Sequence, residues 1–316
     1  MNAASGYKLA VVIPAYNLDS QLLDLILRIP PEVQNILVID DKCPNMIGRF
    51  IELKCLDPRV KVYFNEENLG VGGAVKNGYQ QALNLGADIV IKLDGDGQMD
   101  ASKIPLLINP ILNNKADYTK GNRFYSLDSL KVMPKVRLFG NSVLSILSKF
   151  STGYWNISDP NNGFTAISAT ALENLELDDI SNSYFFESDM LFRLYCNRAV
   201  VVDVPMKSIY GDEKSNLSVL NVSTEFMYKH WRNAFKRFFY TYILRDASVA
   251  SLELPLGVFL LSFGVLNSLV NLFQSSTSGI PNNPGTVMLS GLAILTGVQF
   301  ILAFISHDVS NVPRKN

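Results

Sequence analysis

The sequence predicts an α/β domain with a largely parallel sheet, followed by two hydrophobic helices long enough to cross a membrane. Two observations support this prediction. Short apolar runs alternate with helical patterns over the first 120 residues, and this alternation requires crossover connections between parallel strands. After about residue 250, the chain contains two long segments without a charged side chain, as expected of membrane spans.

The first half accounts for most of the predicted sheet. Strands are expected at 9–13, 36–39, 60–64 and 89–93, and helical patterns cover 20–28 and 74–85. The region from about 120 to 215 is less regular. It contains a predicted helix at 134–149, a loop at 158–162 and strands near 164–167 and 199–204.

The last third predicts a membrane anchor. Residues 223–245 mix basic and aromatic side chains at helical spacing, which is typical of a helix in the headgroup layer; a surface helix packed on the preceding domain is the alternative. Segments 254–273 and 287–306 are each about 20 residues long, as a bilayer core requires, and two buried core helices are their alternative. We expect three regions: the α/β domain at 1–220, an amphipathic interfacial helix region at 221–250 and a membrane anchor at 251–316.

Composition limits the location and the partners. The net charge of −1 gives no reason to expect a nucleic-acid partner. Three cysteines without a C-x-x-C pair favour a reducing compartment. Basic residues precede the first predicted span and follow the second, so the positive-inside tendency predicts a multi-pass cell-membrane protein with both termini in the cytoplasm. A homo-oligomer is compatible with a two-span anchor.

Carboxylates follow two of the predicted parallel strands. Asp41 follows the second strand, and Asp94 and Asp96 lie in a glycine-containing turn after the fourth. Ligands of open α/β sheets bind at this edge, although a single acidic pair there is equally compatible with a turn or a helix cap. Two carboxylates on one tight turn are suited to Mg²⁺ or Mn²⁺, which prefer oxygen ligands.

A glycine-rich segment at 68–74 precedes a predicted helix. It has neither the Walker spacing nor the dinucleotide-binding spacing. Two interpretations remain: a glycine-rich turn that opens the helix, or a loop whose backbone N–H groups, including that of Gly72, lie near a diphosphate.

Four motifs occur in order and together resemble one family. They are Val12-Ile-Pro-Ala-Tyr-Asn17, Val38-Ile-Asp-Asp41, Asn68-Leu-Gly70 and Asp94-Gly-Asp-Gly-Gln98. The set resembles the family 2 inverting glycosyltransferases with the GT-A fold, and within them the membrane-bound polyprenyl-phosphate sugar transferases of the dolichol-phosphate mannose synthase type. The resemblance covers about residues 7–220. It implies a Rossmann-like, mostly parallel mixed sheet and sugar transfer from a UDP- or GDP-sugar to a membrane lipid acceptor, most simply polyprenyl phosphate.

The resemblance also implies roles for individual residues. Asp94, Asp96 and Gln98 match the metal-binding pattern, and Asp96 is thereby expected to be essential for catalysis. Arg137 and Lys214 are expected to approach the acceptor phosphate. The donor is expected to contact Pro14, Ala15, Tyr16, Asn17, Asp41, Gly72, Asp94 and Arg123. The segment at 42–44 departs from the family pattern, which leaves the contacts to the nucleotide base open.

The acceptor determines whether a base is needed. A polyprenyl phosphate is already ionised and attacks unaided, whereas a hydroxyl of a lipid-linked oligosaccharide or another cell-envelope glycan must lose a proton. Glu187 and Asp189 are the candidate bases for that alternative. For Glu187, a carboxylate that stabilises a helix N-terminus is an equally good interpretation. A catalytically silent membrane scaffold is the non-enzymatic alternative, and the intact Asp94/Asp96 pair argues against it.

Overall fold

A computed structural model of the chain describes residues 6–18, 20–125, 135–206 and 219–315, with only the backbone described at 135–139, 141 and 219–223. The chain forms two compact units. The first contains the described residues up to Ala234 together with 313–315, and the second is Phe235–Val312.

A seven-stranded sheet forms the centre of the first unit. Its strands are β1 (Leu9–Ala15), β2 (Asn35–Asp40), β3 (Val60–Phe64), β4 (Ile89–Lys92), β5 (Tyr118–Asn122), β6 (Thr165–Ser168) and β7 (Val201–Pro205). They are arranged in the order β3-β2-β1-β4-β6-β5-β7. Only β6 runs antiparallel to its neighbours, so the sheet is mixed and mostly parallel.

Helices connect the strands, as crossover connections between parallel strands require. They are α1 (Gln21–Leu27), α2 (Ile47–Lys54), α3 (Gly70–Asn84), α4 (Ile104–Leu112), α5 (Lys135–Thr152), α6 (Ala169–Glu173) and α7 (Phe186–Cys196), and a further helix, α8 (Val219–Phe238), follows β7. The buried apolar core lies between the sheet and these helices and draws on β1, β2 and β4 with α1 and α4.

The register of the central strands determines where the site forms. Lys92, the last residue of β4, lies opposite Thr165, the first residue of the antiparallel β6. Thr165 also lies opposite Lys120 of β5. The loop before β6 therefore lies at the sheet edge where β4 and the other parallel strands end.

The second unit contains most of the hydrophobic C-terminal segment. A π-helical stretch at Phe239–Arg245 follows α8, and two long helices come next, α9 (Ala250–Ser278) and α10 (Pro284–Ser310). Both are long and apolar enough to cross a membrane. Within this unit, Arg237 donates hydrogen bonds to both carboxylate oxygens of Asp308, at 2.7 and 2.9 Å.

The α/β prediction and the two candidate membrane spans are confirmed. The four strands of the first half agree with prediction to within two residues at each end. Helices α2, α4 and α6 and strand β5 were not predicted, and the predicted start of α3 lies four residues too late because the glycine run belongs to the helix itself.

Candidate active site

A pocket forms at the carboxyl ends of the strands. It is lined by the turn after β4, the end of β5 and the loop before β6, with the predicted residues Asp94, Asp96, Gln98 and Arg123 among its walls. Sequence reasoning did not single out four further lining residues, Met99, Asp100, Lys103 and Met206. Met99, Asp100 and Lys103 directly follow the acidic turn, so their proximity in sequence was the available signal.

Lys92 connects three parts of the site. Its side chain is 1% exposed, and its ammonium group donates to Asp94 Oδ1 at 2.6 Å, to Glu187 Oε1 at 3.0 Å and to the Gly163 carbonyl oxygen at 3.4 Å. Burial lowers the pKa of Lys92, but the carboxylates of Asp94 and Glu187 outweigh burial and raise it above its usual value. This lysine therefore stays charged, and it was missed although it interrupts an apolar strand.

A second buried lysine supports the same loop. Lys120 of β5 donates a hydrogen bond to the carbonyl oxygen of Asn162, next to the carbonyl that Lys92 contacts. Burial lowers the pKa of Lys120 to about 8. The Asn162 side chain donates to the Gly121 carbonyl oxygen at 2.7 Å and accepts from the Phe164 N–H at 3.0 Å, so the loop is fixed from several directions.

Arg123 is fixed beside this loop by an ion pair. Its Nε donates to Asp159 Oδ2 at 2.7 Å and its Nη2 to Asp159 Oδ1 at 2.9 Å, while its backbone N–H also reaches Oδ2. Asp159 is 1% exposed, whereas the arginine side chain is 23% exposed and lines the pocket. Two parallel charge-assisted hydrogen bonds hold the guanidinium in one orientation at the pocket wall.

The carboxylates after β2 differ in environment. Asp40 accepts the backbone N–H groups of Cys43 and Gly48, so its role is to shape the following turn. The Oδ1 of Asp41 accepts from the Asn65 side chain at 2.7 Å and from the Leu69 N–H at 2.9 Å. Asp41 is thus held in place at a strand end but does not line the pocket.

The predicted donor-binding segment 14–17 lies at the carboxyl end of β1. Pro14 and Ala15 end β1, and Tyr16 follows with half of its surface exposed. Asn17 adopts a left-handed backbone conformation (φ 53°), and its N–H donates to Cys43 Sγ at 3.1 Å. Cys43, which lies in the segment that departs from the family pattern, therefore contacts the segment predicted to bind the nucleotide.

The structure gives Gly72 a packing contact. Its N–H donates to the Asn182 carbonyl oxygen at 2.9 Å, and a Cβ at this position would lie 2.3 Å from the Ser181 carbonyl oxygen. The glycines at the start of α3 let the backbone of Ser181 and Asn182 approach the helix closely. Gly72 does not line the pocket, and its donor contact stays a prediction.

The two candidate bases have partners within the protein. Glu187, in the first turn of α7, contacts Lys92 as described above. Asp189 is buried, with Oδ2 accepting from the Ser181 N–H and Oδ1 from the Asn233 side chain, each at 2.9 Å. Neither carboxylate lines the pocket.

The two predicted acceptor contacts are only partly visible. Arg137 lies in α5, but its side chain is outside the described residues, as is all of Lys214. Their roles stay predictions.

Asp94 and Asp96 have the chemistry that a hard cation needs. Among the described residues there is no cluster of three or more His, Cys, Asp or Glu suited to hold a metal ion by themselves. Two carboxylates at one pocket nevertheless fit Mg²⁺ or Mn²⁺, which typically take one or two carboxylates and complete their coordination with water and substrate phosphates. The residues present therefore fit a metal that binds together with a diphosphate.

Comparison with known proteins identifies the family. The model of the family "Glycosyl transferase family 2" matches residues 10–176, more than half of the chain, and the chain belongs to this family. It is a glycosyltransferase. A UDP-N-acetylglucosamine–dolichyl-phosphate N-acetylglucosaminyltransferase of Methanococcus voltae is 30% identical over 64% of this chain and 86% of that protein. A polyprenol monophosphomannose synthase of Mycolicibacterium smegmatis is 30% identical over 62% of this chain and 75% of that protein.

Solved structures agree on the fold. Glucosyl-3-phosphoglycerate synthase of Mycobacterium tuberculosis, solved with Mn²⁺, UDP and glucosyl-3-phosphoglycerate, superimposes with a TM-score of 0.55 at 17% identity, over 74% of this chain and 81% of that one. The same enzyme has been solved with Mg²⁺ and UDP, at a TM-score of 0.52. The predicted GT-A fold is thereby confirmed.

Proposed function

We propose that the chain transfers a sugar, with inversion, from a nucleotide-sugar donor to polyprenyl phosphate at a membrane, in a reaction that depends on a divalent metal. The observation that carries the proposal is the pocket in which Asp94 and Asp96 lie together with Arg123. Carboxylates that suit a cation and a guanidinium that suits a phosphate are the groups needed to bind a nucleoside diphosphate sugar. Relatives whose names specify dolichyl phosphate and polyprenol monophosphomannose support the acceptor.

The surroundings of Glu187 and Asp189 favour a phosphate acceptor over a hydroxyl. A general base must be within hydrogen-bond reach of the proton that it removes. Both carboxylates are engaged by protein partners, and neither lines the pocket. An ionised lipid phosphate needs no base, so these two carboxylates serve structural roles in this proposal.

Different residues of the chain would bind the metal and the nucleoside of the donor. Asp94, Asp96 and Gln98 would hold Mg²⁺ or Mn²⁺, which when bound stabilises the negative charge of the leaving diphosphate as a Lewis acid. Tyr16 and Asp41, at two neighbouring strand ends, would contact the nucleoside of a UDP- or GDP-sugar.

Basic side chains would bind the phosphates of the donor and the acceptor. Arg123 lines the pocket beside the acidic turn and would bind a phosphate there. Arg137 and Lys214 would bind the acceptor phosphate, as the resemblance implies.

The proposed location is a cell membrane, with the catalytic domain and both termini in the cytoplasm, where nucleotide sugars are made. The two candidate spans form an even number of crossings. Residues 313–315 belong to the same compact unit as the chain before the anchor, and Lys315 contacts Asp117 at 2.6 Å. Both observations support a location of the segments before and after the anchor on one side of the bilayer.

Transfer by the full chain purified in detergent tests this function. A panel of UDP- and GDP-sugars is offered with Mn²⁺ or Mg²⁺, with and without a polyprenyl phosphate, and the lipid product is separated and quantified. We expect metal-dependent formation of a lipid-phosphate sugar, abolished in Asp96→Asn. Donor binding without transfer to that lipid, together with transfer to a hydroxyl acceptor, would contradict the proposal.

A further inference from the structure

Lys92 occupies a place that the proposed function leaves unexplained. An ammonium group has three hydrogens to donate, and each has an acceptor from a different segment: Asp94 in the turn after β4, Glu187 in α7 and the Gly163 carbonyl in the loop before β6. The side chain is fully enclosed. A fixed cation of this kind acts on its neighbours with little screening by water.

The positive charge of Lys92 affects how a metal cation can bind at Asp94. Asp94 and Asp96 are the proposed ligands of a doubly charged ion, and Asp94 already has a positive charge 2.6 Å from one of its oxygens. That charge opposes the approach of a second cation. The donor diphosphate brings the negative charge and the oxygen ligands that restore the attraction.

We infer that Lys92 acts through Asp94: by compensating the charge of this carboxylate, it makes divalent-cation binding depend on the nucleotide diphosphate. The inference rests on the proposed function. Its consequence is that the cation enters with the donor and leaves with the nucleoside diphosphate. Glu187 takes part by sharing the ammonium: it draws Lys92 partly away from Asp94 and fixes it to α7.

Binding of Mn²⁺ to the full chain in detergent, followed by its paramagnetic resonance signal with and without UDP, tests the inference directly. In the unmodified chain, we expect UDP to raise the Mn²⁺ affinity by about tenfold or more. In Lys92→Met, which preserves the length of the side chain and removes the charge, we expect Mn²⁺ alone to bind about tenfold more tightly. The gain from added UDP should shrink correspondingly, because coupling between two ligands is reciprocal.

A purely structural role for Lys92 predicts a different result. Loss of packing would weaken Mn²⁺ binding equally with and without UDP. Mn²⁺ affinity without UDP that is unchanged or lower in Lys92→Met would therefore overturn the inference.

Glu187→Gln provides a matched variant with the opposite expectation. Lys92 then has Asp94 as its only carboxylate partner among the three acceptors, so Mn²⁺ alone should bind a few-fold more weakly. Unchanged or tighter binding would count against the inference. If Lys92→Met fails to fold because it leaves Glu187 buried and unpaired, the double variant Lys92→Met/Glu187→Gln replaces it. Compared with Glu187→Gln alone, it should bind Mn²⁺ without UDP about tenfold more tightly, and equal or weaker binding overturns the inference.

The outcomes separate this inference from the proposed function. If the unmodified chain shows metal-dependent UDP binding while the lysine variants leave the Mn²⁺ affinity unchanged, only the role of Lys92 is wrong. If the unmodified chain binds no Mn²⁺ even with UDP and transfers sugar without metal, the metal dependence in the proposed function fails, and the inference fails with it.

Discussion

Replacing Gly163 with alanine tests how closely the loop before β6 fits against Asp94. A Cβ at this position would lie 2.1 Å from Asp94 Oδ2 and 2.5 Å from Lys92 Nζ. Unbonded heavy atoms meet at about 3.5 Å, so the atoms must separate by more than about 1 Å. Gly163 does not use the left-handed backbone region, so alanine introduces no backbone strain of that kind, and the effect comes from the collision.

The carboxylate should move and the loop should not. The ammonium of Lys120 holds the Asn162 carbonyl, and Asp159, at the start of the loop, is paired with Arg123. Asp94, with a side chain that is 30% exposed, has room to turn into the pocket. Displacement of a substrate-positioning group by about 1 Å can cost about 100-fold in rate, and this is the loss of turnover that we expect.

Steady-state sugar transfer, with Mn²⁺ and donor varied, measures the effect. Gly140→Ala is the matched control, because a Cβ at Gly140 would meet no heavy atom of the described residues within 4 Å and α5 should accept alanine readily. We expect Gly163→Ala to keep its fold, lose turnover and bind Mn²⁺ poorly, while Gly140→Ala remains active. Gly163→Ala with the turnover and metal dependence of the unmodified chain would refute the placement of Asp94.

Three further substitutions address other parts of the molecule. Glu187→Gln should lower turnover by less than about tenfold at saturating metal and donor. Loss of a general base costs about 10²–10⁴-fold, and a loss of that size would instead favour a hydroxyl acceptor with Glu187 as its base. Burial lowers the pKa of His230 from 6.5 to about 4, so its neutral form stabilises the fold above pH 6.5. Stability should therefore fall as the pH drops from 6.5 towards 4, by up to about 1.4 kcal/mol per pH unit, and His230→Gln should flatten this dependence in thermal unfolding; an equally steep profile would contradict it. Gly264→Ala should destabilise the second unit by about 1–2 kcal/mol, because its Cβ would lie 2.9 Å from the Ser290 carbonyl oxygen. In the control, Gly291→Ala, the added Cβ would meet no heavy atom of the described residues within 4 Å, so this variant should unfold like the unmodified chain. Equal melting temperatures of the two variants would argue against the close contact between the helices.

Periodicity predicted the elements that have a simple hydrophobic pattern. The strands β1 to β4 end close to their expected positions because each is a run of apolar residues. Strand β5 was missed since its sequence, Tyr-Thr-Lys-Gly-Asn, is polar. The buried Lys120 in this strand donates a hydrogen bond to the Asn162 carbonyl oxygen, a partner that is distant in sequence. Helix α4 was missed since prolines at 105 and 110 interrupt its pattern.

The site was predictable where its residues are neighbours in sequence. Asp94 and Asp96 were identified because they share one turn at a strand end. The contact between Lys92 and Glu187 joins residues 95 positions apart, and no local sequence pattern predicts it. The glycines at the start of α3 suggested a phosphate loop, but the Asn182 backbone that they approach is more than 100 residues away. Only the fold could reveal that contact.

The most direct test of the central proposal is the formation of a lipid-linked sugar by the purified full-length chain, with polyprenyl phosphate as acceptor and Mn²⁺ either supplied or removed by a chelator. The expected result is a polyprenyl-phosphate sugar that forms with metal, disappears with chelator and is absent in Asp96→Asn. Equal product formation with and without metal, or an Asp96→Asn variant as active as the unmodified chain, would contradict it.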